Sequence, residues 1–240
     1  MRGAIYTSIF KDYADVIHPI VGTKIHLNVM VRPNEYSSVI ITCDDDVQSD
    51  YLSTLNRLGE SMKKCADNTS RRKNMDKGKM HVIGKGKKGN GSVGIYKLTN
   101  HSEEVQAATL LVTSLAPNYY TTMGYSKNVI GMKEKCRHGY MNNTCFVSSI
   151  VQSQDLINAA HIDINDKSES ISTWTEKCVG TAKDWYFVMP NTTRDGKSAI
   201  IIALRHGVTI KWDGRSIMHC STVNIIGGSN HVYGTYFGSK

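Results

Sequence analysis

From residue 145 onward the sequence breaks into short β-type runs, a texture that excludes a helical second half. FVSSIV, AAHIDI, SISTW, WYFVM, AIIIALR, VTIKW, SIMHC and HVYGTYF follow one another at close spacing. Turn residues separate most of them: Asn-Asp-Lys, Pro-Asn, Arg-Asp-Gly, Asp-Gly and Gly-Gly-Ser-Asn. Eight closely spaced short strands predict a sandwich or barrel, and the jelly roll is the common eight-strand solution.

The first half is mixed. IHLNVMV (25–31) alternates and SVIIT (38–42) is a buried-type run, so both read as strands. Over 49–65, Leu52, Leu55, Leu58 and Met62 recur at helical spacing, with Ser49 placed to cap the first turn. A second helix is expected over 101–115, opened by Ser102 and stopped before Pro117. Between them, 63–92 is rich in Lys and Gly without periodicity and reads as a mobile loop. The tyrosines of PNYYTTMGY (117–125) suit a core with bonded hydroxyls, or a pocket wall. The fold class is therefore α+β in one domain of 240 residues. Residues 1–117 form a supporting part with the basic loop 63–92, and residues 118–240 form the jelly-roll core.

Charge is concentrated in one place. Residues 63–88 hold ten basic side chains against Asp67 and Asp76, which equals the whole net charge of +8. Arg71, Arg72, Lys73, Lys85, Lys87 and Lys88 are the candidate contacts to a nucleic-acid backbone, DNA more than RNA. GKGKKGNG (84–91) lacks the GK[ST] ending of a phosphate loop. The six cysteines include no CxxC pair, which fits reduced thiols in an intracellular protein, nuclear if DNA is the partner. Cys136, His138 and Cys145 make half a zinc site without a second pair. No apolar run approaches the ~20 residues of a membrane-spanning helix, so no membrane is expected.

The chemistry is expected at His161-Ile162-Asp163. On an extended strand, residues two apart face the same way and both reach one ion. His219, in SIMHC, follows VTIKWDGRSI, whose Asp213-Gly214 reads as a two-residue hairpin turn. Two histidines and a carboxylate leave coordination positions open, as iron(II) oxygenases require. Taken alone, His161 also fits a strand histidine bonded to a carbonyl, and His219 a core residue.

HIDINDKSESISTW, WYFVMP, HGVTIKWDGRSIMHCS and HVYGTYF together resemble the iron(II)/2-oxoglutarate-dependent dioxygenase superfamily over residues 118–240. The resemblance implies a double-stranded β-helix. Pro190 would close one strand, Gly207 and Gly214 would be hairpin glycines, and His219 would be the distal metal ligand. It also implies Fe(II) and 2-oxoglutarate, with oxidation of a substrate C–H bond coupled to decarboxylation of the oxoacid. One feature departs from the pattern. The superfamily's final strand begins with a basic residue for the oxoacid's far carboxylate, whereas His231 stands there. Lys183 or Arg205 are the other candidates, and ascorbate is the alternative cosubstrate. Asp166, in the turn beyond the ligands, could orient a cosubstrate or simply be an exposed turn residue. The expected substrate is a nucleic-acid base of the 5-methylcytosine type, as in the TET and JBP families. The alternatives are a protein or small-molecule substrate, or a metal-free nucleic-acid-binding β-barrel.

Overall fold

The structure is a computed structural model that describes residues 14–44, 46, 49–62, 75–87, 93–96, 98–125, 149–164, 166, 169–194, 197–224 and 230–238. Its strands are β1 (Ala14–Ile17), β2 (Lys24–Arg32), β3 (Glu35–Cys43), β4 (Met75–Lys87), β5 (Val93–Tyr96), β6 (Ser149–Asn158), β7 (Ser170–Glu176), β8 (Lys183–Arg194), β9 (Lys197–Ala203), β10 (Val208–Trp212), β11 (Cys220–Asn224) and β12 (Val232–Gly238). The helices are α1 (Asp50–Met62) and α2 (Glu103–Thr122), with a short 3-10 turn at Leu98–Asn100. The described chain is thus mostly β-sheet with two helices, an architecture compatible with a jelly-roll core.

A long sheet runs β2-β3-β10-β7-β12-β6-β4-β5, and a shorter one runs β1-β9-β8-β11. Among the described residues only β1 and β9 pair in parallel. The pairing of Met30 with Thr193 joins the two sheets. Their facing sides make the main core. Val39, Ile41, Ile210 and Trp212 of the long sheet pack with Phe187, Met189, Ile200 and Ile202 of the short one. Strands from both halves of the chain interleave, since β3 pairs with β10 and β4 with β6.

The helices cover the other side of the long sheet. Ser49 Oγ accepts from Leu52 N at the start of α1, and Leu52, Leu55, Leu58 and Met62 are fully buried. Each contributes about 1.5–3 kcal/mol by leaving water. Beneath the helices lies a row of polar side chains. Thr42, Thr209, Thr173, Thr235, Gln152 and His81 are successive register partners across six strands. Thr173 Oγ1 and Thr209 Oγ1 lie 2.8 Å apart, Thr235 donates to Gln152 Oε1 at 2.7 Å, and Tyr120 and Tyr125 reach Thr173 and Thr42.

Several expectations need correction. Helix α2 does not stop before Pro117 but continues to Thr122. An internal proline costs about 3 kcal/mol, and packing outweighs it: Tyr119 stacks on Tyr51 at 4.3 Å, and Tyr120 is 1% exposed with its hydroxyl bonded. The supposed loop contains β4, because Met80-His81-Val82-Ile83 is a continuous buried run paired along β6. Strand β8 runs through Pro190, which pairs with Ala199, and on to Arg194. VTIKWDGRSI is not a hairpin, because β10 pairs with β3 and β7 whereas β11 pairs with β8. The Asp213 carboxylate accepts from Arg215 N and Ser216 Oγ, and its carbonyl from Ile217 N, winding the chain into a turn that changes sheet. Gly207 does serve a turn. Its φ is +81° and a Cβ would collide with the carbonyl of Asp44, so only glycine fits.

Candidate metal centre

The run AAHIDI is not a strand. His161 instead forms an isolated bridge with His219, donating N–H to its carbonyl at 3.0 Å and accepting its N–H at 2.9 Å. The two histidines are therefore direct cross-chain partners, with ring centroids 4.6 Å apart. Asp163 N donates to Gly214 O at 2.7 Å, which holds the carboxylate beside the same point.

One potential ligand atom from each of His161, Asp163 and His219 lies within 4.8 Å of the others. His161 Nε2 is 3.9 Å from Asp163 Oδ1, and His219 Nε2 is 3.5 Å from Asp163 Oδ2. Atoms bound to one ion at about 2.1 Å sit roughly 3–4 Å apart, so these separations suit a metal. The imidazoles are also oriented for it. His161 Nδ1 pairs with Ala159 O at 3.0 Å and His219 Nδ1 with Ile217 O at 2.9 Å. A carbonyl partner fixes the proton on Nδ1 and makes Nε2 the coordinating atom. His219 is further held between Phe187, stacked at 5.5 Å, and Trp212, edge-on at 5.3 Å.

Asp166 is not an exposed turn residue. It is 2% exposed, its N–H donates to Asp163 O, and its carboxylate accepts from Ser170 Oγ and Tyr236 OH. Tyr236 OH also lies 3.5 Å from Asp163 Oδ2, so one phenol links the two carboxylates. Nothing in the sequence spacing pointed to Tyr236; its place on the inner face of β12 follows only once the pairing with β7 is known.

The centre opens into a cavity of about 70 Å³ lined by Asn158, Trp174, Phe187, Trp212, Ser221 and Tyr236 among others. Among its described lining residues, the imidazole and carboxylate groups are those of His161, Asp163 and His219. Gly234 lets Trp174 in, since a Cβ there would meet its indole nitrogen at 3.1 Å. Of the other candidates, His231 Nδ1 lies 2.7 Å from Asp155 Oδ2 and 2.9 Å from Gln154 Nε2. Asp155 has φ +52°, a bulge that turns its carboxylate to His231 and to Val232 N. Lys183 opens β8 and Arg205 is exposed just before Gly207, and neither lines the cavity. Lys85 and Lys87 are in β4; Arg71, Arg72, Lys73, Lys88, Cys136, His138 and Cys145 lie outside the described residues. Tyr119, Tyr120 and Tyr125 are helix-side core, not pocket wall.

The protein is similar in fold to NgTET1 in complex with 5mC DNA, with a TM-score of 0.55 at 11% identity over 95% of this chain and 83% of that one. The chain shares the fold of that protein. Two further solved structures align less well. An oxidoreductase of the 2OG-Fe(II) oxygenase family from Burkholderia pseudomallei gives 0.41 at 12% identity, over 82% of this chain and 92% of that one. A prolyl hydroxylase in complex with a hypoxia-inducible-factor peptide from Trichoplax adhaerens gives 0.48 at 9%, over 84% and 83%. Both scores are too low to add weight. No protein-family model matches the chain, and no curated protein matches it in sequence.

Proposed function

We propose that this protein is an iron(II)-dependent dioxygenase built on a double-stranded β-helix, with 2-oxoglutarate as cosubstrate and a nucleic-acid base of the 5-methylcytosine type as substrate. The observation that carries the reading is the convergence of His161, Asp163 and His219 at the cavity, both Nε2 atoms turned to the carboxylate. Iron held there by His161, Asp163 and His219 would supply the dioxygen chemistry that couples oxoacid decarboxylation to oxidation of a C–H bond. The chain's own part is to hold the neutral imidazoles in one tautomer, fix the carboxylate, and keep the cavity dry with Trp174, Phe187 and Trp212.

The base substrate rests on two supports. One is the fold shared with NgTET1, which was bound to 5mC DNA. The other is β4, which carries exposed Lys77 and Lys79 and then Met80, a cavity-lining residue, so polyanion-binding charge and cavity rim share one strand.

The test is reconstitution with iron(II) and 2-oxoglutarate, or ascorbate in its place, on oligonucleotides bearing 5-methylcytosine or thymine, with oxidised bases read by mass spectrometry. His161→Ala, Asp163→Ala and His219→Ala should each lose metal binding by more than the roughly ten- to hundredfold that loss of a group orienting a ligand costs, and turnover with it. Wild-type protein that binds neither iron(II), manganese(II) nor nickel(II) at micromolar concentrations would falsify the reading.

A further inference from the structure

We infer that Asn158 is a specificity residue whose side-chain amide donates to an acceptor on an uncharged ring entering the cavity. The inference rests on the proposed base-oxidising function and names the group that selects the base. Asn158 ends β6 three residues before His161, and its Oδ1 accepts from Ser221 N at 2.7 Å. Ser221 in turn stands two residues beyond His219. The side chain therefore bridges the two segments that carry the histidines, and its position is tied to the metal centre.

The bond to Ser221 also decides which way the amide faces. A backbone N–H is met only by the amide oxygen, so the nitrogen occupies the other branch. Asn158 makes no second side-chain bond among the described residues, and it lines the cavity. The Nδ2 group is thus the end offered to whatever enters. Around it the walls are aromatic. Trp174 and Phe187 have centroids 5.4 Å apart, Phe187 and Trp212 4.9 Å, and Trp212 and Tyr236 5.9 Å.

These walls favour a flat apolar body. The remaining polar lining is neutral: the hydroxyls of Ser153, Ser172, Ser221 and Tyr236. A charged group that does not reach the metal would be costly to desolvate against this part of the wall. A neutral heteroaromatic ring with a carbonyl oxygen or an unprotonated ring nitrogen meets all three conditions, and pyrimidine bases belong to that class.

The deciding variant is Asn158→Asp, which keeps an oxygen for Ser221 N but replaces the donor with an acceptor. The metal-loaded variant should lose ten- to a hundredfold in kcat/KM on the oxidised base, the range for a mispaired buried polar contact. Dissociation constants for manganese(II) and for 2-oxoglutarate, measured by calorimetry, should stay within about twofold, because neither ligand needs that donor. Asn158→Ala, which adds no charge, should lose a comparable factor while thermal unfolding reports on the fold. Unchanged kcat/KM in both variants overturns the inference and leaves the dioxygenase reading intact. So does a loss explained by weaker 2-oxoglutarate binding, which would assign Asn158 to the cosubstrate. A wild type that binds metal but oxidises no base overturns the substrate reading and this inference together.

Discussion

Tyr236 is where one atom does most at the candidate metal centre. Its hydroxyl reaches Asp166, Ser170 and the Asp163 carboxylate, so it acts on the candidate ligand set without belonging to it. Groups that orient a metal-binding carboxylate are worth roughly ten- to a hundredfold in affinity. Tyr236→Phe should weaken manganese(II) binding by about tenfold, and the absorption spectrum of the cobalt(II) form should shift as Asp163 changes its mode of coordination. An unchanged affinity and spectrum would reduce Tyr236 to a packing residue. The convergent residues His161, Asp163 and His219 stand out in the sequence, because an HxD pair and a distant histidine are written in residue types whose chemistry is specific. Tyr236, Asn158 and the aromatic walls do not. Tyrosine, asparagine and tryptophan occur everywhere, and only strand pairing brings these particular ones to the cavity.

At the scale of elements, a buried carboxylate organises the link between β7 and β8. Glu176 accepts from the N–H groups of Gly180, Thr181 and Ala182, from Thr181 Oγ1 and from Asn230 Nδ2. It is 2% exposed, so these donors take the place of the water that would otherwise solvate it. Glu176→Gln should cost about 3 kcal/mol in chemical denaturation, because charge-assisted bonds to several donors are lost together. A change below about 0.5 kcal/mol, the level of an inert surface substitution, would mean that the turn holds itself. Sequence patterning found α1 and most strands from β6 onward, where apolar periodicity and turn residues coincide. It failed at α2, where tyrosine packing outweighs Pro117, and at β4, where lysines and glycines on one face masked a buried run on the other. It also failed at Asp213-Gly214, since a turn signal fixes a local bend but not which sheet the chain enters next.

For the molecule as a whole, acid stability is set in part at the far end of the polar row. His81 is 2% exposed and neither ring nitrogen has a bonded partner among the described residues. Burial, helped by the charges of Lys79 and His101, pushes its imidazole down to about 4. In the unfolded chain it titrates near 6.5, so between these values the unfolded state holds the extra proton. Stability must then fall as pH drops from about 6.5 toward 4, by about 3 kcal/mol for this group. His81→Leu should flatten that part of the profile relative to wild type, whatever the carboxylates contribute to both; parallel profiles would contradict the assignment. The row has one more consequence. A strand that slips by two residues keeps every apolar side chain on its proper face, so hydrophobic patterning alone does not forbid the error. Here such a slip would set Thr173 against Phe237 or Tyr233 instead of Thr235 and strand buried hydroxyls, at about 1–3 kcal/mol each. The threonines work as an alignment key, and because β7 and β12 are aligned by it, so is Tyr236 with the carboxylates it joins.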